Sequence, residues 1–323
     1  MDAIGVQTES FSLCLEALGR CLNKDDYHFC TPTPRTHARV LARRVRGHDI
    51  LRDTFGWNRP VRPSDLPERY QPFLHDPHLF SLESDGRYRA RVRFSQLGPL
   101  LLAHSCYPTE EADAVFFGPD TYRFANAIRA FREREPDFAP TTCVDIGAGT
   151  GAGGLFCATL FPALRQIALL DINSRALAFT AANIALNDID GAFPRQSDIL
   201  NAWQEPAHLI VSNPPYLVDS AFRAYRHGGG DWGASLSVRI LEQALSRLSP
   251  DGHLLLYTGS AIVDGQDKFL EAATPVLEAS TLWYRYEELD PDVFGEELET
   301  RPYDQADRIA TVLLHVRGAD LKR

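Results

Sequence analysis

The segment Val144-Asp145-Ile146-Gly147-Ala148-Gly149-Thr150-Gly151 joins an apolar strand to a helical stretch through three alternating glycines. Glycine lets a backbone turn tightly and approach a ligand closely, so a strand ending this way and running into a helix opens a ligand-binding α/β fold. Beyond Pro119, apolar strands alternate with helical patterns. Strands are expected near 141–146, 166–172, 192–197, 207–212, 252–259, 280–287 and 308–317, with helices near 120–132, 152–162, 173–187, 234–248 and 264–278. That alternation specifies a doubly wound, mostly parallel, seven-stranded Rossmann-like sheet covered on both faces.

The first 110 residues follow another pattern. One helix is expected from Glu9 to Cys21 and a second from Arg35 to Arg46, the latter preceded by Thr31-Pro32-Thr33-Pro34, which is helix-start chemistry. A Pro-rich connector from Asn58 to Pro72 leads to Leu79–Glu83 and Arg87–Phe94, which flank the hairpin signal Ser84-Asp85-Gly86. Leu100 to His104, after Gly98-Pro99, supplies a third strand. We therefore expect a smaller α+β accessory domain over residues 1–110, resembling a winged helix, and a larger domain over 111–323. Arg87, Arg89, Arg91 and Arg93 alternate along one strand and so share a face. That face suits either a phosphate-binding wing or, the favoured reading, a solvated edge charged against aggregation.

A chain of 323 residues, 44% hydrophobic and 24% charged, can bury two cores. It has no run near eighteen apolar residues and no secretory signal pattern at its start, so a soluble cytoplasmic protein without membrane contact is expected. The six cysteines form no C-x-x-C pair and read as reduced. His75 and His78 stand alone in a Pro-rich loop without partner ligands, so no metal is expected. The net charge of -10 is uneven: residues 35–93 carry thirteen arginines against seven acids, which leaves the remainder strongly acidic. The sequence is silent on oligomeric state.

The glycine turn alone leaves its ligand open. Gly149-x-Gly151-x-x-Gly154 also satisfies the dinucleotide fingerprint, and Asp171 follows Gly151 by twenty residues, as a ribose partner would. Three acids tilt the reading to S-adenosylmethionine, with S-adenosylhomocysteine as product. Asp145 places a carboxylate beside the ammonium that a dinucleotide lacks. Asp171, next to Ile172, can accept from both ribose hydroxyls, and Asp198 can accept from the adenine amino group while Ile199 packs on the ring. With Asn213, the expected cofactor set is Asp145, Gly147, Gly149, Gly151, Asp171, Ile172, Asp198 and Ile199. Three acids at successive strand ends lie on the edge where open parallel sheets bind ligands.

The fourth strand ends in Asn213-Pro214-Pro215-Tyr216, on the same edge. Consecutive prolines fix the backbone and remove its donors, leaving a site rich in carbonyl acceptors. Such a site wants a donor. An NH2 group would give its hydrogens to the Asn213 side-chain oxygen and the Pro214 carbonyl, while Tyr216 would stack on a planar substrate. Asn213, Pro214, Pro215 and Tyr216 are the expected catalytic residues, acting mainly by orientation, with no strong general base required.

Residues from about Phe116 to Arg317 resemble the class I S-adenosylmethionine-dependent methyltransferases. Within that class they resemble the branch of release-factor glutamine methyltransferases and relatives acting on ribosomal RNA or adenine. The resemblance rests on Asp145 to Gly151, Asp171, Asp198 and Asn213 to Tyr216. Gly228-Gly229-Gly230-Asp231-Trp232-Gly233 resembles the glycine-rich loop that follows the tetrad in the glutamine enzymes. Phe117-Gly118-Pro119-Asp120-Thr121 resembles the element that helps close the cofactor pocket, although it departs from the usual Pro-x-Pro-Glu-Thr. The first 110 residues match no known pattern, and in this family that region selects the substrate.

The segment Glu287 to Glu299 adds seven acids and no base on the same edge, where it would repel phosphates if it overhangs the pocket. The first expectation is therefore N-methylation of a planar nitrogen, a glutamine amide or guanidino group, in a protein, peptide or small amino-acid-like substrate. A ribosomal RNA or DNA base comes second, and would need the arginine strand to grip phosphates. A non-catalytic module that only binds the cofactor comes third, because cofactor retention alone does not need Asn213. A dehydrogenase is the most distant reading.

Overall fold

The chain begins with helices α1 (Ala3–Lys24), α2 (Pro34–Leu41) and α3 (Ile50–Phe55). The computed structural model describes residues 3–43, 49–219, 223 and 225–319, with side chains from residue 9. Thr33 caps α2 by accepting the Thr36 N–H, and Pro34 opens its first turn. This helix stops at Leu41, short of the expected Arg46; residues 44–48 lie outside the described residues. The Pro-rich connector is not open loop, since it winds into 3-10 turns at Pro63–Asp65 and Glu68–His75.

Two hairpins follow in place of the expected three-stranded sheet: β1 (Phe80–Leu82) pairs with β2 (Tyr88–Ala90), and β3 (Val92–Leu97) with β4 (Leu100–Ser105). The chain bends between them at Arg91, whose backbone N–H donates to the Leu79 carbonyl at 2.8 Å. That bend also breaks the arginine face. Arg93 is only 4% exposed and donates Nε to the Ser105 carbonyl at 3.1 Å. Arg87, Arg89 and Arg91 are ion-paired with Asp85, Glu83 and Glu111.

The larger part runs α4 (Pro119–Arg134), β5 (Thr142–Ile146), α5 (Ala152–Leu160), β6 (Gln166–Asp171), α6 (Ser174–Leu186), β7 (Ala192–Gln196) and β8 (Ala207–Ser212). It continues through α7 (Ser235–Leu245), β9 (Leu248–Val263), β10 (Gln266–Asp267), α8 (Lys268–Ser280), β11 (Trp283–Asp290) and β12 (Arg308–Arg317). The strand order is β11-β12-β9-β8-β5-β6-β7, with β10 added against β9. The seven expected strands are all present, and the strand pairs from β9 to β7 are parallel. β12 alone of the seven is reversed, running antiparallel to β9 and β11. Boundaries differ most at β9, which spans sixteen residues, and at β11, which starts three residues later than expected.

From β5 the chain moves outward through β6 to β7, then returns to place β8 on the other side of β5. This reversal opens a crevice at the carboxyl ends of β5 and β8, the place where doubly wound sheets bind ligands. The first 105 residues do not stand apart from this sheet. Leu15, Leu18 and Leu22 of α1 share a core with Phe179, Ala182 and Leu186 of α6. Asn183 on α6 and Asn187, which caps the end of that helix, exchange hydrogen bonds with the backbone of Ala103 and Leu101 in β4. Asn183 Nδ2 also donates to the Thr150 carbonyl at 2.9 Å, tying β4 to the glycine turn.

Candidate active site

Gly147, Gly149 and Gly151 take φ angles of +69°, +57° and +81°, which side-chain-bearing residues resist. A Cβ on Gly147 would meet nothing within 4 Å, so there the backbone angle demands glycine. At Gly154 space demands it, because a Cβ would lie 2.3 Å from Leu169 Cδ2. Asp145, 2% exposed, accepts the Gly154 N–H at 2.8 Å. Burial pushes its carboxyl up to about 7, against the pull of the Gly154 N–H. Asp171 accepts the Gly149 N–H on Oδ2 and the Asn173 N–H on Oδ1, both at 2.8 Å. Burial raises its carboxyl as well.

Around this turn lies a cavity of about 170 Å³, walled by Asp145, Gly147, Gly149, Asp171, Ile172, Asp198, Ile199, Asn213, Pro214 and Pro215. Three further strands thus bring their ends to the β5 turn. Ile172 stands 61% exposed at the rim, and Asp198 lies 3.3 Å from Arg239. Ile199 is buried with φ +52°, a left-handed conformation that a β-branched residue adopts only under constraint. Gly151 is absent from the cavity wall and caps α5 from below. The wall also holds Phe116, Thr121, Phe124 and Tyr225. Thr121 belongs to the element read as closing the cofactor pocket, whereas Tyr225 carried no signal of its own in the segment between the tetrad and the glycine-rich loop.

An adjoining cavity of about 70 Å³ shares Phe116, Asn213, Pro214, Pro215 and Tyr225 and adds Asp120, Tyr216, Leu217, Arg226 and Phe294. Asn213-Pro214-Pro215 therefore lines the boundary where the two cavities adjoin. Tyr216 does not offer its ring face as expected. It is 6% exposed, meets Phe294 edge-on at 6.0 Å, and packs where a Cβ on Gly259 would stand 2.1 Å from its Cδ2. Phe116 and Tyr225 are the parallel rings that line both cavities, 4° apart in plane at 6.2 Å.

The glycine-rich loop supports the tetrad from behind. A Cβ on Gly228 would come within 2.7 Å of the Pro215 carbonyl, and one on Gly233 within 2.1 Å of the Tyr216 carbonyl. The Gly228 N–H donates to the Leu217 carbonyl at 2.8 Å, which fixes this approach. The acidic segment reaches the smaller cavity through Phe294, yet four of its seven acids are matched by arginines. Glu287, Glu288, Asp290 and Glu297 pair with Arg134, Arg308, Arg123 and Arg226. Among the described residues no group of three His, Cys, Asp or Glu is placed to hold a metal ion, and no helix is long and apolar enough to cross a membrane. The six cysteines are free thiols.

A crevice at the strand-order reversal, lined by strand-end acids and by Asn213-Pro214-Pro215, is the binding place of a doubly wound fold, and the likeness to known proteins makes its class that of the class I S-adenosylmethionine-dependent methyltransferases. The Methyltransferase small domain family matches residues 131–266. A release factor glutamine methyltransferase from Deinococcus radiodurans is 34% identical over 237 residues, 70% of this chain and 78% of that protein. By that likeness the chain belongs to the release factor glutamine methyltransferase family.

A ribosomal protein uL3 glutamine methyltransferase from Bordetella pertussis is 35% identical over 147 residues, 42% of this chain and 47% of that protein. A ribosomal RNA small subunit methyltransferase C from Vibrio vulnificus is 32% identical over 117 residues, 36% of this chain and 31% of that protein. The chain spans about half or less of these two relatives.

The residues present fit S-adenosylmethionine. Buried Asp145 offers an anion for the ligand's ammonium. Each Asp171 oxygen keeps a second lone pair for a ribose hydroxyl, and Ile172 and Ile199 offer apolar surface for a planar base.

Proposed function

We propose that this chain methylates the side-chain amide nitrogen of a glutamine in a protein. The observation that carries the reading is that Asn213, Pro214 and Pro215 line both of the adjoining cavities. S-adenosylmethionine bound in the larger cavity supplies an electrophilic methyl group. In the smaller cavity, the Asn213 side-chain oxygen and the Pro214 carbonyl accept the two hydrogens of the amide and turn its nitrogen toward the methyl group in the adjoining larger cavity. Phe116 and Tyr225 confine the planar group, and such positioning can supply several kcal/mol. Asp145 holds the cofactor's ammonium, Asp171 its ribose and Asp198 its adenine amino group.

Neutralised arginines at Arg87, Arg89 and Arg91, a buried Arg93 and a net charge of -10 favour a protein acceptor over a nucleic acid. The relatives named for release factor and uL3 agree with that order, and the ribosomal RNA relative keeps a base acceptor as the second outcome.

The test is transfer of labelled methyl from S-adenosylmethionine into an extract of cells lacking this chain, separated into protein, nucleic-acid and small-molecule pools. Label in protein, recovered as methylated glutamine after digestion, supports the reading. Label in RNA or DNA, with binding that weakens steeply with salt, overturns it.

A further inference from the structure

The smaller cavity holds a carboxylate that the reaction as described does not use. Asp120, in the first turn of α4, is 6% exposed and lines this cavity together with Asn213 and Tyr216. The Tyr257 hydroxyl on β9 donates to its Oδ1 at 2.5 Å. Beside it the Tyr216 hydroxyl is buried and makes no hydrogen bond of good geometry. A buried hydroxyl is costly unless something completes it, and here the group beside it is the Asp120 carboxylate, both residues lining the smaller cavity.

We propose that Asp120 receives, through the Tyr216 hydroxyl, the proton that the acceptor nitrogen gives up on methylation. The inference rests on the proposed function only in placing the acceptor in this cavity. The nitrogen forms its bond to the methyl carbon, the carbon–sulfur bond breaks, and its electron pair stays on sulfur. The nitrogen is then left with one proton too many. It passes that proton to Tyr216 Oη as the Tyr216 proton moves to Asp120, so the products are the N-methyl group, neutral S-adenosylhomocysteine and a neutral Asp120.

The surroundings suit this role. Burial raises the Asp120 carboxyl above its usual range, with the Tyr257, Tyr216 and Asn213 side chains and the Arg123 charge opposing, which brings it closer to working pH as a base. Burial, and then the Asp120 charge, holds the Tyr216 hydroxyl far above the ordinary phenol range, so it relays protons without ionising. Arg123 is paired with Asp290 at 3.0 Å, and at the cavity mouth Arg226 is paired with Glu297 and lies 3.6 Å from Asp219. No free cation therefore competes for Asp120 among the described ion pairs.

The experiment measures initial rates of labelled methyl transfer into the same cell extract across pH, at saturating S-adenosylmethionine, for the wild type, Asp120→Asn, Asp120→Glu and Tyr216→Phe. Counting label in any pool tests the proton path whichever acceptor is used, and the identity of the pool tests the glutamine reading. The expected result is an acid limb in the wild type. Asp120→Asn should be slower on the order of 100-fold with the limb gone, Tyr216→Phe comparably slow, and Asp120→Glu partly active with a displaced limb. Calorimetric affinity for S-adenosylhomocysteine should stay within about threefold, because neither residue lines the larger cavity. A wild-type rate in Asp120→Asn, or a slow Asp120→Asn that keeps the wild-type limb, overturns the proposal. So does the absence of label in every pool. If Asp120→Asn does not fold, an unshifted limb in Asp120→Glu overturns it too.

Discussion

Asp171 joins two turns with one side chain, its Oδ2 accepting the Gly149 N–H and its Oδ1 the Asn173 N–H, each at 2.8 Å. The residue that would hold the cofactor's ribose therefore also holds the glycine turn in shape. Asp171→Ala should weaken S-adenosylhomocysteine binding at least about tenfold, since both backbone donors lose their partner. Calorimetry checks this, and an unchanged affinity would remove Asp171 from the cofactor site.

Placed against the cofactor's ammonium as proposed, the Asp145 carboxyl should give cofactor binding a pH dependence with a definite sign. Its value in the free protein is about 7, raised by burial, whereas the ligand's ammonium prefers the ionised form. Affinity for S-adenosylmethionine should be highest above pH 7 and fall below it, with a limiting slope of about tenfold per pH unit. Titrations at pH 6 and pH 8 should differ in the wild type and agree in Asp145→Asn.

Asn213 lies where the two cavities adjoin, so its loss should separate transfer from binding. Asn213→Ala is expected to lower methyl transfer on the order of 100-fold while changing cofactor affinity little. Equal losses in both would show that the residue serves the cofactor and not the acceptor.

Gly259 lies beneath the Tyr216 ring, with no room for a methyl group. Gly259→Ala should cost about 1–3 kcal/mol of stability, or displace Tyr216 and lower transfer even where the protein stays folded. Denaturant melts together with transfer rates distinguish the two consequences.

His253 Nδ1 and His315 Nε2 meet at 2.8 Å inside the pair β9 and β12. Burial lowers both, to about 4 and about 3. Both imidazoles are neutral in the fold and protonated in the unfolded chain below the usual histidine value near 6.5, so stability present above that pH is lost as pH falls toward 4. The slope contributed by each is at most about 1.4 kcal/mol per pH unit. His315→Gln should show a shallower acid loss in melts between pH 7 and pH 4.

Much of the site was legible because its chemistry is local in sequence. A left-handed turn needs glycine, a proline pair strips donors, and acids recur near the carboxyl ends of three successive strands, so Asp145, Asp171, Asp198 and Asn213 could be read one by one as candidates, and all four line the larger cavity. Tyr216 shows where that logic ends. Its place in the tetrad suggested a stacking face, but packing over Gly259 and against Phe294 turns the ring inward. Phe294 and Tyr225 come from loops whose sequence says nothing about where they land.

The sequence by itself determined the seven strands of the doubly wound sheet, the cofactor turn and the methyltransferase class, because periodicity, glycine and proline act over a few residues. Only the tertiary structure decided the remainder: that Arg93 is buried, that four acids of the 287–299 segment are matched by arginines, that Asn183 fastens β4 to the glycine turn, and that Asp120 lines the smaller cavity. Each of these depends on which distant surfaces are driven together to bury apolar area, and a charge reveals its role only once its partner across that interface is in place.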